Sequence, residues 1–312
     1  MNRGPEVTTA SRGLRPLDMA SKLAIVYAAG EGEIEEVERL LAEGADIQRT
    51  DQGGFSALHR AAWGRHRAIV ELLLDNRADV NARTRDERTP LSCASAVGSL
   101  LVVQLLLDRD ADPNIKNKGG DTPIYRACTE GHGGVVQLLL AKNADPNIAH
   151  KSLGGETPLH SSTWHGHSDI VKMLLDHGAA VNPLAKDGDT PLHTAVVLAN
   201  VELAGMEACT AIVQQLLDQG ADVHIANKEG LTPMFRAIIE GHAAIVQMLM
   251  DKGARVDLWT SSGATPLHSA ADGGHGDVIQ MLLDRGADVN VKDKDVRPST
   301  LNPQPQTLNP ES

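Results

Sequence analysis

Aromatic residues are nearly missing from this chain: three tryptophans, two tyrosines and two phenylalanines among 312 residues. One large core without aromatic bulk is hard to fill, so the 41% of hydrophobic residues points to many thin layers of Leu, Val, Ile and Ala. Cysteine is also scarce. Cys93, Cys128 and Cys209 are odd in number and form no C-x-x-C pair, which excludes a disulfide framework and a cysteine zinc site. A basic excess is lacking, since the formal net charge is −12. That argues against a duplex nucleic-acid binder, which needs a cationic footprint. The longest apolar run, Leu100 to Leu107, falls well short of the roughly 18 residues of a membrane span. Met1 to Ala20 has Gly, Pro and Arg where a signal peptide would be apolar. The expectation is an intracellular protein, cytoplasmic or nuclear, with no membrane span. No phosphate-binding glycine loop or nucleophile elbow stands in a strand-to-helix context, so neither an enzyme nor a cofactor is expected.

What the chain has is a period. An Ala-Asp-type step follows a Leu-rich run at Ala45, Ala78, Ala111, Ala144, Ala179, Ala221, Ala254 and Ala287. Successive spacings are 33, 33, 33, 35, 42, 33 and 33. A second landmark, a Thr-Pro-Leu-His-like tetrapeptide, begins at Ser56, Thr89, Thr122, Thr157, Thr190, Thr232 and Thr265, with nearly the same period. Periods of this length mean stacked supersecondary units. The clearest copies are Thr265-Pro-Leu-His-Ser-Ala-Ala with Gly286-Ala-Asp-Val-Asn, and Thr157-Pro-Leu-His with His165-Gly-His.

These motifs resemble the ankyrin repeat from about Ser21 to Asp295. The resemblance implies an all-α solenoid of helix pairs with short β-hairpin or turn fingers, in L-shaped repeats stacked as a curved array. It implies seven full copies, preceded by a degenerate amino-terminal cap lacking the tetrapeptide. Disordered segments are expected at 1–20 and at 296–312, where the Pro-rich composition cannot pack a core. The local chemistry is consistent with it. Thr at the N-cap is followed by Pro at N1, where its missing N–H costs nothing. A second helix follows with apolar residues at helical spacing, as in Ile69, Val70, Leu73 and Leu74. Gly44, Gly178, Gly220, Gly253 and Gly286 then stand where a left-handed C′ residue is expected. Helices of two to three turns are too short to persist alone, so stability must come from stacking.

Departures from the pattern carry expectations of their own. Arg77 and Asp110 occupy the C′ position, and Glu87 replaces the glycine before Thr89. A non-glycine residue held left-handed costs on the order of 1 kcal/mol, so Asp75 to Leu107 is expected to open before the carboxy-terminal copies. The spacing of 35 places two extra residues in a finger around His150 to Gly155. The spacing of 42 places nine near Leu198 to Ala211, expected as a longer inner helix or an ordered loop.

Most of the 13 histidines sit at repeat positions. His59, His160, His193 and His268 are the tetrapeptide residue, which the resemblance implies holds neighbouring backbone; no metal site is expected. The repeated Asn81, Asn114, Asn147, Asn182 and Asn290 read as turn formers, with side-chain hydroxylation as the alternative that the resemblance raises. The resemblance also places the variable positions on finger tips and on the inner helices after the tetrapeptide. Trp63 and Trp164 fall there, at the fourth position after the tetrapeptide His, with Val197 and Ile239 in later copies; Trp259 falls in a finger and Phe55 just before Ser56. Arg60, Arg126 and Arg236 recur beside them, above finger lysines. The expected function is a monomeric scaffold or adaptor binding a protein segment of some acidic character at Phe55, Arg60, Trp63, Arg126, Trp164, Arg236, Ile239 and Trp259. The alternative is the regulatory portion of a larger enzyme, channel or ubiquitin-ligase subunit.

Overall fold

A computed structural model describes residues 23–198, 205–257, 259 and 263–291. The segments 1–20 and 296–312, and much of the 198–211 insertion, lie outside the described residues. Sixteen helices among those described form eight antiparallel pairs. The odd-numbered, inner helices are α1 (Ala24–Glu31), α3 (Ala57–Trp63), α5 (Pro90–Ala96), α7 (Pro123–Thr129), α9 (Pro158–Trp164), α11 (Pro191–Leu198), α13 (Pro233–Ile239) and α15 (Pro266–Asp272). The outer ones are α2 (Ile34–Ala42), α4 (Arg67–Asp75), α6 (Leu100–Asp108), α8 (Gly133–Ala141), α10 (Ser168–Asp176), α12 (Gly205–Asp218), α14 (Ala243–Asp251) and α16 (Gly276–Asp284).

Most inner helices start where a threonine caps them, whereas α1 begins after Leu23 without a side-chain cap and α3 is capped by Ser56. The Thr89, Thr122, Thr232 and Thr265 hydroxyls accept the backbone N–H three residues on, at 3.2 to 3.4 Å. Proline at N1 follows in each case. Inner helices pack on inner helices and outer on outer, so each pair's apolar faces are covered by its neighbours. The core is one continuous aliphatic seam from Ile25 to Leu282. Cys93, Cys128 and Cys209 are buried in it as free thiols, and burial pushes the Cys93 thiol up to about 12.

The fingers take the turn form of the expected hairpin or turn, and the expectation for the insertion is corrected. Among the described residues the fingers form turns with isolated backbone bridges, Thr50–Ser56 and His150–Glu156, and no hairpin strands. The long insertion mainly lengthens the outer helix. α11 gains one residue over the seven usual for inner helices, whereas α12 has 14 residues against nine in the other outer helices. Cys209, on the added turns, is buried with its Sγ 3.0 Å from the Ala195 carbonyl. That contact anchors the extension against its own inner helix.

Three side-chain series stitch one repeat to the next. In the tetrapeptide histidines, Nδ1 accepts the N-cap N–H and Nε2 donates to a carbonyl of the following finger. His59 reaches Arg88 at 2.9 Å, His160 Asp189 at 3.2 Å and His193 Leu231 at 3.0 Å. A second series points backwards: His66, His132 and His275 donate from Nε2 to the Gly30, Ala96 and Ile239 carbonyls of the preceding inner helices. The third is an amide ladder. Asn81, Asn114 and Asn147 each give Nδ2 to a carbonyl of the next repeat and accept a backbone N–H there. These asparagines clamp adjacent repeats, a larger role than turn formation.

Candidate functional site

The position four residues after the tetrapeptide His is the last residue of its helix in α3, α9 and α13. Trp63, Trp164 and Ile239 therefore stand in register on the inner-helix row, 48%, 51% and 41% exposed. Val197, inside the longer α11, is half-buried. A helix-terminal side chain at this place has no following turn to pack on, which is why even an indole stays open. Trp259 is also exposed but sits elsewhere. It lines a recess of about 150 Å³ with Val256, Asp257, Gly286, Ala287 and Asp288, at the last described repeat. The structure thus brings Trp63, Trp164 and Ile239 into one row and leaves Trp259 beside it.

Phe55 does not present a free face. Its ring is half-buried against the core, meets His59 edge-on at 5.9 Å and carries the Arg60 guanidinium 4.7 Å above it. The three arginines are likewise engaged within the chain. Arg60 pairs with Asp51, Arg126 with Glu130 at 3.0 Å, and Arg236 with Asp189 and Glu229 at 3.7 and 3.9 Å. Each guanidinium thus has its own carboxylate, so the cationic excess expected of these positions is neutralised locally. The finger lysines Lys116, Lys118, Lys151, Lys186 and Lys228 form no ion pair among the described residues.

A deeper feature lies between the fourth and fifth repeats. A recess of about 450 Å³ is lined by Asp121, Tyr125, Arg126, Thr129, His150, Leu153, Glu156, Ser161, Trp164 and His165. A shallow recess of about 20 Å³ beside Trp63 shares Asp121 and Arg126 with it, so a continuous track runs from Trp63 to Trp164. Several of these residues come from positions where the repeat departs from its usual residue. Tyr125 replaces the tetrapeptide His, and its hydroxyl donates to Glu156 Oε2 at 3.3 Å. Burial, then the Glu156 charge, raises the phenol's pKa and keeps it protonated as that donor. His150 takes the place of the finger residue that accepts N–H groups elsewhere, Asp51 and Asn117. Its Nδ1 accepts the Leu153 N–H at 3.0 Å and its Nε2–H donates to Asp121 at 2.8 Å. The two-residue extension turns through Gly154 and Gly155 at φ 72° and 85°, leaving Leu153 52% exposed at the rim. Burial, with nearby Asp187, raises the Glu156 carboxyl above the ordinary carboxylate range.

Tyr125, His150, Leu153 and Glu156 are absent from the sequence-derived set, although signals for them exist. Glu156 and Asp121 occupy the same pre-tetrapeptide position as Phe55, and the spacing of 35 marks the extended finger. Among the described residues no group of three or more His, Cys, Asp or Glu is placed to hold a metal ion. No described helix is long and apolar enough to cross a membrane.

The fold and its stitching define a helix-pair solenoid with an exposed inner-helix row. Models of ankyrin repeats match residues 82–150, 145–206 and 201–293 as "Ankyrin repeats (3 copies)" and 40–94 as "Ankyrin repeats (many copies)". The chain belongs to the ankyrin repeat family, whose repeats are in general protein-interaction modules. Similar curated proteins include Serine/threonine-protein kinase 12 of Arabidopsis thaliana, 39% identical over 70 residues, covering 22% of this chain and 15% of that protein. Palmitoyltransferase akr1 of Schizosaccharomyces pombe is 42% identical over 60 residues, 19% of this chain and 9% of that one. The human 2-5A-dependent ribonuclease is 33% identical over 100 residues, 32% and 13% respectively. Each match spans less than a sixth of the relative's length.

Proposed function

We propose that this protein is a non-enzymatic scaffold that grips a segment of a partner protein along the inner-helix row. The observation that supports this is the placement of Trp63, Trp164 and Ile239. In a chain with seven aromatic residues, two of three tryptophans end inner helices and remain half exposed. Tryptophan is enriched among residues that dominate interface energy, and a row of open apolar side chains marks an interaction surface. The track between Trp63 and Trp164 spans three helix spacings, about 25–30 Å, enough for an extended segment of roughly eight residues.

Affinity capture with the wild-type chain beside a Trp63→Ala, Trp164→Ala, Trp259→Ala variant tests the reading. Partners retained by wild type and lost by the variant are expected. An unchanged partner set would refute the assignment to the inner-helix row. The short shares of the relatives covered favour a second reading, in which such a repeat array serves a larger catalytic polypeptide. A transcript joining these repeats to a catalytic domain distinguishes it.

A further inference from the structure

The recess between the fourth and fifth repeats has an apolar mouth and an acidic floor. Trp164 and Leu153 form the mouth, both about half exposed. The floor holds Asp121 and Glu156, and these two carboxylates differ in how they are satisfied. Asp121 has both oxygens engaged: Oδ1 by His150 at 2.8 Å and Oδ2 by the Asn117 amide at 2.8 Å. Glu156 has only the long Tyr125 contact, 3.3 Å, on Oε2.

The groups that could neutralise Glu156 from within the protein are directed elsewhere. Arg126 is turned to Glu130 at 3.0 Å. His150 has both ring nitrogens committed, Nε2 to Asp121 and Nδ1 to the Leu153 N–H. His165 points Nδ1 at the Ser161 carbonyl, 2.8 Å away, and stacks on His167. Asp187 adds a further negative charge near the Glu156 carboxyl. The recess therefore holds an under-compensated carboxylate beneath an open indole.

We infer that this recess is the specificity pocket for an arginine side chain of the partner segment, its stem lying between Trp164 and Leu153 and its guanidinium meeting Glu156. The inference rests on the protein-binding reading above and gives it a chemistry. A long cationic side chain buries its methylenes on apolar surface while its head seeks the polar end. A cation over an indole gains from the ring's quadrupole. Arginine suits the place better than lysine because a planar fork both stacks on an aromatic face and meets a carboxylate with two N–H groups. An acidic side chain would instead face Glu156, Asp121 and Asp187, with no uncommitted cation among the recess-lining residues.

The test uses the full chain and capped tripeptides, Gly-Arg-Gly beside Gly-Lys-Gly, Gly-Gln-Gly and Gly-Glu-Gly, followed by the three tryptophan indole N–H resonances. Gly-Arg-Gly is expected to shift the Trp164 resonance with a dissociation constant on the order of millimolar. Gly-Lys-Gly should follow more weakly, and the neutral and acidic peptides should have no effect. Glu156→Gln, which keeps an acceptor for Tyr125, should weaken the arginine peptide about fivefold or more, and Leu153→Ala, which leaves the reporting indole in place, should weaken it as well. Equal response to Gly-Gln-Gly, a preference for Gly-Glu-Gly, indifference to Glu156→Gln, or no shift at about 50 mM would each overturn the inference. The two readings fail separately. Loss of captured partners in the tryptophan variant with no arginine selectivity keeps the scaffold and removes the arginine pocket. Arginine binding with an unchanged partner set does the reverse.

Discussion

The amino-terminal and carboxy-terminal halves of the stack reach the same fold with different backbones. All five described non-glycine residues at positive φ lie between Arg65 and Asn143: Arg65, Arg77, Glu87, Asp110 and Asn143. From Gly154 onward every described residue at positive φ is glycine. The ties between outer helices differ too. Arg109 reaches back to Asp75 and Lys142 to Asp108, then the series lapses across the fourth to sixth repeats, and it resumes with Lys252–Asp218 and Arg285–Asp251. One joint further on, where the ion pair is intact, His242, which should donate backwards like His275, has a buried Nε2 without a partner among the described residues. The inner helix before it, α11, has eight residues against seven in its neighbours. The amino-terminal half thus carries strain within its repeats, and the other half carries its defects between them. In a one-dimensional array these are separate contributions, intrinsic and interfacial.

That division is tested most strongly by cavities placed on either side of the junction. Leu106 in α6 and Leu249 in α14 are both fully buried. Truncating either to alanine should cost about 2–5 kcal/mol. Hydrogen exchange should localise the loss: Leu106→Ala should deprotect the second to fourth repeats and spare the seventh and eighth, and Leu249→Ala should do the opposite. Deprotection of the whole array by either variant would show one cooperative unit and dissolve the comparison.

Glycine exchanges come next, and they separate strain from crowding. A Cβ added at Gly253 meets nothing within 4 Å, so Gly253→Ala should cost only the left-handed backbone term, about 1 kcal/mol. A Cβ at Gly241 would stand 2.4 Å from the His275 ring, so Gly241→Ala should be clearly worse. Arg65 holds the position equivalent to Gly241, and the next repeat faces it with Ser99 instead of a histidine ring. Conversely, Arg77→Gly with Asp110→Gly should raise stability by about 2 kcal/mol together and slow exchange across Asp75 to Leu107. Unchanged exchange there would remove the grounds for an early-opening segment.

Much of this was legible before any coordinates. Arg77, Asp110 and Glu87 were readable as left-handed because the repeat assigns φ to a position regardless of the residue that fills it. Arg65 was not, because the adjacent Gly64 reads as the glycine of the Gly-His step and hides the true left-handed residue one place later. Helix-terminal Trp63 and Trp164 were legible for the same periodic reason. Phe55 was misplaced because period says which way a position faces, whereas Arg60 decides whether its ring is covered. The recess was missed because it arises from coincident exceptions, Tyr125 for histidine and an extended finger, in two adjacent repeats.

Acid should act through the tetrapeptide histidines. Burial lowers the pKa of His59, His160 and His193 below the ordinary value of 6.5. In the native state these rings stay neutral, whereas the unfolded chain takes up protons below about 6.5, so stability is flat above that pH and falls as pH drops toward the folded values. The third, fourth and seventh repeats carry Ser92, Tyr125 and Phe235 at this position and lack this response. A melting midpoint that falls between pH 7 and pH 5, and falls less in a His160→Tyr variant that still folds, is the expected outcome. A midpoint independent of pH across that range would contradict it.

The smallest effect concerns the ion ladder whose interruption marks the junction. Its members are exposed, and exposed pairs contribute little because solvent screens them and two long side chains must be ordered. Lys252→Met should therefore lower the unfolding midpoint less than Gly253→Ala does, although the two residues are adjacent. The difference from wild type should disappear in about 1 M salt, where the Debye length is about 3 Å. Installing the missing rung is the sharper experiment. Gln219 stands where Lys252 and Arg285 stand in later repeats, and Asp176 is the carboxylate it would meet. Asp176 is already held by Lys172 at 2.7 Å within its own helix, so Gln219→Lys must compete with an existing pair and should gain almost nothing alone. It should gain in a Lys172→Gln background. If both backgrounds respond alike, the lapse in the ladder is incidental, and the weak point lies one joint further on, at His242, whose Nε2 has no partner among the described residues.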